Sequence, residues 1–569
     1  MSIDNYNVAL VYPPLCERFS YYRFGPRITI MGLGYLHSFL MEHKINSEQI
    51  NLDNLLHRKA DFWKKFDTYG TLTDDSIIEQ YINGDDVDFD FDTIYIFLMN
   101  AMDWKQYDMI AVSYDIAFLR DIYAPAFFKF LHEIAIIYKI PIVFGGLGFA
   151  SLDILKICKR FDFIKYACFG KIDSINLESF LKIIQYENKG DVDLKKLQNI
   201  CYRNESSRVC ANFAKNAPSP KIEKNYIVKP FYDLKNSKGF GITYSDFCEI
   251  DSGLPSNFFN DDLEISIIPY RFSVNCINKC AFCMCSAEGY RFTFKEAEKV
   301  ADDLDRLVQE NASNCFMFLN SMINFSKKYL SKILNLMQKR NIQIYFTDSA
   351  EVFGMDDELL QIIREMGGIG LWYGLECPSD RLLKFIHKRC SVQEAESVLK
   401  RSDDLGIWNG VNLISGLPQE SDADMEMSIN FIKRNIGIVD MWQVTPFYLV
   451  KSKFLEYPKK YGIIIRNREV VDDKGEGDLI MASFDEENGL RWEEKREKTA
   501  KNFKLLLETI DNHAVVPNLS NMTLLFFLYK KFNSSKSRVK DWLIKNYKGY
   551  APKIRITGLE KNRINQRSW

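Results

Sequence analysis

The chain has 569 residues, 47% of them hydrophobic and 14% aromatic, enough for three or four units with sizeable cores. Its 74 basic and 76 acidic residues leave a formal charge of -2, which gives no whole-chain attraction for nucleic acid or anionic lipid. Thirteen cysteines, an odd number, and a start without the basic and apolar regions of a signal peptide point to a reducing, cytoplasmic setting. No run of about 18 apolar residues is present to span a membrane.

Residues 1–190 read as an α/β unit. Val8–Tyr12 is an apolar strand followed by Pro13 and Pro14, and Met31–His43 is helical. Further strands are predicted at Gln49–Asp53, Met109–Ser113, Ile140–Gly146 and Phe163–Phe169. The alternation predicts a doubly wound sheet, whose ligands bind at the carboxyl ends of the strands. Tyr12, Ser113, Gly145 and Gly146 stand at such ends, although a glycine turn is equally a packing turn. The alternating aspartates of residues 85–92 lack EF-hand spacing and read as a solvated loop. Residues 191–262 read as a linker.

Between residues 263 and 446, short apolar runs alternate with helix-periodic stretches six times, which predicts a partial β/α barrel. Strands are expected at Leu263–Val274, Cys315–Leu319, Ile342–Phe346, Ile369–Leu375, Trp408–Ile414 and Val439–Thr445. Capping boxes at Thr293–Glu296 and Ser391–Glu394, and Ser421-Asp-Ala-Asp424, open helices, while Gly367 ends one. The first strand runs into Cys276-Ile-Asn-Lys-Cys280-Ala-Phe-Cys283. Iron-sulfur clusters normally take four thiolates, so three cysteines with no fourth at a matching interval leave one iron open. The alternative is a zinc knuckle that recruits Cys285 as its fourth ligand.

Past residue 446 the β/α rhythm stops. A loop is expected at Asp472–Glu487, then a mostly helical region, 447–569, that closes the barrel mouth. Lys530, Lys531, Lys536, Arg538, Lys540, Lys545 and Lys548 make its end basic, which reads as a solvated face or a surface for an acidic partner.

The cysteine spacing at a strand end resembles that of the radical S-adenosylmethionine (SAM) enzymes. Trp372-Tyr-Gly-Leu-Glu376-Cys-Pro-Ser379 is similar to the GxES segment of that family, and Asn412-Leu-Ile-Ser-Gly416-Leu-Pro418-Gln-Glu to its GxPxE turn. The resemblance implies a 4Fe-4S cluster on Cys276, Cys280 and Cys283 whose open iron chelates SAM and cleaves it to a 5'-deoxyadenosyl radical. It implies Phe282 near the adenine, Glu376 and Ser379 near SAM, and a close backbone approach at Gly416. Pro418, Asn412 and Asn320 are candidate contacts beside them, with Asn324 and Asp348; each is weighed against turn chemistry, and Ser379 against a helix cap.

Tyr12-Pro-Pro, Gly32-Leu-Gly-Tyr-Leu, Val112-Ser113 and Gly145-Gly146, in that order, resemble the cobalamin-binding domain that precedes the barrel in one branch of the family. Ser245-Asp-Phe and Gly253-Leu-Pro255 resemble the segment that such enzymes thread across the barrel mouth. The fold implied is an N-terminal Rossmann-like cobalamin-type domain, a partial (β/α)6 barrel and a mostly helical C-terminal region. The activity implied is a cobalamin-dependent methyltransferase acting on an unactivated carbon of a small molecule or peptide, served by a flavodoxin or ferredoxin-type electron donor. Phe169-Gly-Lys171-Ile stands where the branch has a glycine-glutamate-glycine turn. That lysine favours a rival, a non-methylating enzyme that cyclises, epimerises or cross-links a peptide. A non-enzymatic zinc-stabilised binding protein is the other rival.

Overall fold

The computed structural model describes residues 6–14, 31–57, 75–87, 90–113, 119, 121–146, 151–169, 174–204, 206–212, 242–243, 264–287, 291–311, 313–470, 480–514 and 522–547. Lys171, Ser245-Asp-Phe and Gly253-Leu-Pro255 lie outside them, as does part of the acidic loop.

The first sheet starts with β1 (Asn7–Tyr12), which the helix α1 (Met31–Glu42) links to β2 (Asn46–Asn51). Then come β3 (Met109–Ser113), β4 (Ile142–Gly146), β5 (Ile164–Phe169), β6 (Ile200–Arg203) and β7 (Val209–Asn212). Their order is β2-β1-β3-β4-β5-β6-β7; the first five are parallel and the last two antiparallel. Five expected strands are therefore present, with β2 displaced toward its N-terminus because Leu52 already begins a helix. The sheet also takes in residues 200–212, past the boundary expected at 190. Order 2-1-3 reverses direction between β1 and β3, and such a switch point is where doubly wound sheets open a crevice.

The second sheet holds six parallel strands, in chain order. They are β8 (Ile267–Tyr270), β9 (Cys315–Phe318), β10 (Tyr345–Ala350), β11 (Gly368–Glu376), β12 (Trp408–Ser415) and β13 (Met441–Pro446). Strand β10 lies three to four residues later than expected, so Asp348 is inside it rather than after it. Pro269 sits in β8, an edge strand, where a missing N–H costs no ladder bond. Ser391 and Ser421 form complete capping boxes. Thr293 does not: residues 293–294 pair with Ser273 and Val274, and the helix begins at Ala297. Gly367 has φ +103, and a Cβ there would meet the Ile344 carbonyl oxygen at 1.9 Å, so only glycine fits that turn.

The C-terminal region corrects the sequence reading at three points. Residues 480–486 form a strand, β15 (Ile480–Glu486), that pairs antiparallel with β14 (Ile463–Val470), where a loop and helices were expected. Helix α2 (Trp492–His513) does pack at the barrel's carboxyl end, but α3 (Met522–Lys531) and α4 (Lys536–Asn546) close the opposite end. Leu524 to Tyr529 are all at most 1% exposed, packed with Ile267, Cys315, Ile369, Trp408 and Met441 at the starts of the strands. A helix apolar on every face must be enclosed. The basic residues here serve that seal: Lys536 Nζ lies 2.6 Å from both Asp403 and Asp440 and donates to the Ile407 carbonyl. Lys540 pairs with Asp440 at 2.8 Å, and Lys530 donates to Asn314.

Tyr35, in the first turns of α1, is buried and hydrogen-bonded to Arg271, the residue after β8.

Breaking a buried ion pair leaves its partner uncompensated, at about 3–5 kcal/mol. Lys536→Ala is therefore expected to lose stability of that order and to unfold at a lower temperature, with Lys545→Ala unchanged, as read by thermal melting.

Candidate active site

Cys276, Cys280 and Cys283 follow β8 on a loop held from two sides. The Ala281 amide donates to Ile386 at 2.8 Å, and the Phe454 amide donates to the Ala281 carbonyl at 3.1 Å. Asn278, between the first two cysteines, donates its amide to the Cys276 sulfur at 3.3 Å and takes a bond from Arg389 at 2.5 Å. The Met322 sulfur lies 3.8 Å from Cys276. Burial pushes the Cys276 thiol up and the Cys280 thiol up to about 12. A hydrogen bond with Cys285, then burial, raises Cys283. Protons held this firmly must leave when a metal binds. Among the described residues no group of three or more His, Cys, Asp or Glu gathers closely enough for a single ion. A 4Fe-4S cluster takes one thiolate per iron, so its ligands stand apart around it. Phe282 packs on the barrel core, half-buried.

Beside this loop lies a buried ion triad. Lys388, 2% exposed at its side chain, reaches Glu351 at 2.7 Å, Glu376 at 3.5 Å and the Gly374 carbonyl at 2.5 Å. A Cβ at Gly374 would lie 2.7 Å from Glu376 and 3.0 Å from Lys388, so glycine makes room for the triad. Glu376 has φ +70 at a register shift between β11 and β12, a strained conformation that surrounding structure must impose. Burial raises its carboxyl above the usual range, with Lys388 opposing and Glu351 adding to the rise. Burial depresses Lys388, yet Glu376 and Glu351 outweigh it and hold the ammonium charged.

Most remaining sequence candidates have structural partners. Asn320 accepts from the Phe272 and Ser273 amides and the Ser273 hydroxyl, and donates to Asp348 at 2.6 Å, so it clamps β8 to β10. Asn324 brackets Glu351, bonding its amide and carbonyl at 2.9 Å each. Ser379 caps a short helix and donates to Asp424 at 2.6 Å. At Gly416 a Cβ would meet Thr499 of α2 at 2.2 Å, so glycine there makes room for that helix. Pro418 belongs to the turn that Glu420 ties by accepting from the Gly416 amide at 2.9 Å. Asn412 differs, because its carbonyl oxygen is buried with no hydrogen-bond partner among the described residues. It stands in register between Gly374 and Gln443.

In the first sheet, Ser113 pairs in register with Gly145, which pairs with Cys168; Gly146 pairs with Phe169. Tyr12 ends β1, the strand next to β3. These residues therefore line the carboxyl edge at and beside the switch point.

Sequence reading missed Glu351 and Lys388. Glu351 had a usable signal, a carboxylate just past a strand's carboxyl end. Lys388 had none, since His387-Lys388-Arg389 reads as an ordinary solvated stretch.

Residues 270–432 match the family model described as the Radical SAM superfamily. The segment is a radical SAM domain. Such a domain takes a 4Fe-4S cluster and SAM, which agrees with the triplet and its open fourth position. The chain is 26% identical over 177 residues to an uncharacterized methyltransferase of Pyrococcus horikoshii, covering 31% of this chain and 39% of the relative. It is 21% identical over 157 residues to the anaerobic magnesium-protoporphyrin IX monomethyl ester cyclase of Rubrivivax gelatinosus, covering 27% and 28%. The matched part is thus well under half of these relatives. Whole-chain likeness is structural. The radical SAM methyltransferase TsrM of Kitasatospora setae, solved with cobalamin and a 4Fe-4S cluster, matches at TM-score 0.54 and 13% identity, over 95% of this chain and 98% of that one. The cobalamin-dependent SAM radical enzyme OxsB matches at 0.51 and 13%, over 96% and 75%. Both show a shared fold.

Burial pushes the Asp348 carboxyl from 3.8 up to about 8, against hydrogen bonds from Asn320 and Ser349. The folded protein binds this proton more tightly than the unfolded chain. The resulting stabilisation is complete below about pH 4 and is lost as pH rises through about 8. Asp348→Asn is expected to flatten the fall in unfolding temperature between pH 5 and 8, relative to the parent protein.

Proposed function

We propose that the protein is a cobalamin-dependent radical SAM methyltransferase acting on an unactivated carbon of a small molecule or peptide. The observation that carries this is the doubly wound sheet with glycines beside its switch point, set before the barrel, with Tyr35 of α1 beside Arg271 of the barrel.

The residues fit the groups. Cys276, Cys280 and Cys283 would hold three irons of the cluster. SAM brings an ammonium: Glu351 and Glu376 would receive it, and Lys388, whose three N–H groups are engaged by Glu351, Glu376 and the Gly374 carbonyl, would hold those carboxylates in place. Asn324 holds Glu351 in place, and the Asn412 carbonyl is an open acceptor inside the barrel. At Gly145 a Cβ would meet only the Cys168 carbonyl, at an ordinary 3.5 Å. The protein's own packing therefore does not demand glycine, and a corrin approaching the backbone would. When bound, cluster and SAM supply a hydrogen-abstracting radical, and cobalamin supplies the methyl group. The protein contributes the buried triad that orients a zwitterion and the packed interior that excludes water.

Lys171 favours the second reading, a non-methylating maturase. Anaerobic purification with hydroxocobalamin separates the two: a bound corrin spectrum is expected, and its absence moves the assignment to that rival. Metal analysis is expected to give about four irons with matching sulfide. About one zinc and no iron would remove both readings. Alanine at Cys276, Cys280 or Cys283 is expected to abolish the iron content, with Cys285→Ala retaining it. Lys388→Gln is expected to keep the iron and weaken SAM binding about tenfold or more in equilibrium titration, because Glu351 and Glu376 lose the charged hydrogen bonds that orient them.

A further inference from the structure

The surface over the cysteine loop is cationic and carries apolar spots. Ile277, between the first two cysteines, is 41% exposed, and Lys279, next to Cys280, is exposed. His387 is exposed and packs its ring 5.9 Å from Tyr461. Lys453 reaches the Lys279 carbonyl at 3.4 Å. Its segment 451–461 contains four lysines, Lys451, Lys453, Lys459 and Lys460, against one carboxylate, Glu456. Lys459 and Lys460 are exposed, and Tyr457 beside them is 50% exposed. The imidazole of His387 is held below its ordinary pKa by burial and then by Lys453 and Lys460, which places these charges around one spot.

We propose that this surface, Lys279, His387, Lys453, Lys459 and Lys460 around Ile277 and Tyr457, docks an acidic one-electron carrier protein. The inference rests on the cluster reading of Cys276, Cys280 and Cys283. One electron leaves the reduced carrier, which is oxidised by one unit, and the cluster is reduced by one; no bond or proton is required to move. The location selects a carrier over a substrate. Ile277 and Lys279 are covalent neighbours of two cluster ligands, so a protein seated here has the shortest path to the metal, whereas a substrate must reach the barrel interior. The chemistry fits too, since electron-transfer encounters are small, weak and steered by opposite charge, with an apolar contact at the centre.

The test uses full-length protein with its cluster and reduced flavodoxin, an acidic flavoprotein, as probe. Stopped-flow absorbance follows cluster reduction. The second-order rate constant is expected to fall with added salt, and Lys459→Glu/Lys460→Glu to lower it about tenfold or more at low ionic strength. A parallel variant, Lys279→Glu, is expected to act in the same direction. The electron paramagnetic resonance signal after dithionite reduction checks that each variant carries an intact cluster, and is expected to be unchanged. Rates indifferent to both salt and charge reversal, with the cluster intact, overturn the docking surface alone. Protein that carries no iron and sulfide overturns the cluster reading, and the docking proposal with it.

Discussion

The ammonium of Lys388 is the group on which the site is built. Taking an ammonium and two carboxylates out of water is expensive, and the pairing repays it only if geometry is good and the other hydrogen-bonding positions are filled. Here Glu351, Glu376 and the Gly374 carbonyl surround the ammonium. Each partner is itself fixed: Glu351 by Asn324, Glu376 by a left-handed backbone at the register shift, and Gly374 by lacking the Cβ that would collide. Two carboxylates share one cation, so the triad carries excess negative charge beside the cysteine loop. A bound aminium would answer it, which is why the arrangement suits a zwitterionic ligand better than a purely structural ion pair.

The barrel divides its labour between its ends. At the strand starts, α3 buries its apolar stretch Leu524 to Tyr529, and α4 locks onto Asp403 and Asp440 through Lys536 and Lys540. At the strand carboxyl ends, α2 presses Thr499 against Gly416, and Lys495 reaches the Leu417 carbonyl. Sealing one end with packed side chains leaves the other as the place where backbone turns and polar residues can serve a ligand.

Local pattern accounts for the elements and for the cysteine triplet. Six apolar runs, the capping box at Ser391, the helix start at Ser421 and Gly367 are local signals that form as their chemistry requires, whereas the box read at Thr293 gives way to a strand pairing. What escaped is non-local. Lys388 meets Glu351 across 37 residues, and nothing near either announces the other. Gly416 and Gly374 look alike in sequence, yet one yields space to Thr499 and the other to the triad. Asn320 carries the polar signature of a binding residue, and its side-chain oxygen and one amide N–H tie the end of β8 to β10. The basic C-terminal stretch reads as surface because burial of a lysine depends on acidic partners more than 90 residues away.

Contact between Tyr35 and Arg271 constrains how two cofactors could work together. Tyr35 lies near the start of α1, the helix that returns from the carboxyl end of β1, and Arg271 lies at the carboxyl end of β8. A doubly wound sheet and a β/α barrel both bind ligands at such ends, so this contact brings two binding edges together. Two sheets joined back to back would bury their ligands on opposite faces, with no common substrate between them. In the proposed function, a group held over Ser113 and Gly145 and another held over Cys280 and Glu376 would lie on these two edges. The proposed methyl transfer to a carbon radical would use that adjacency.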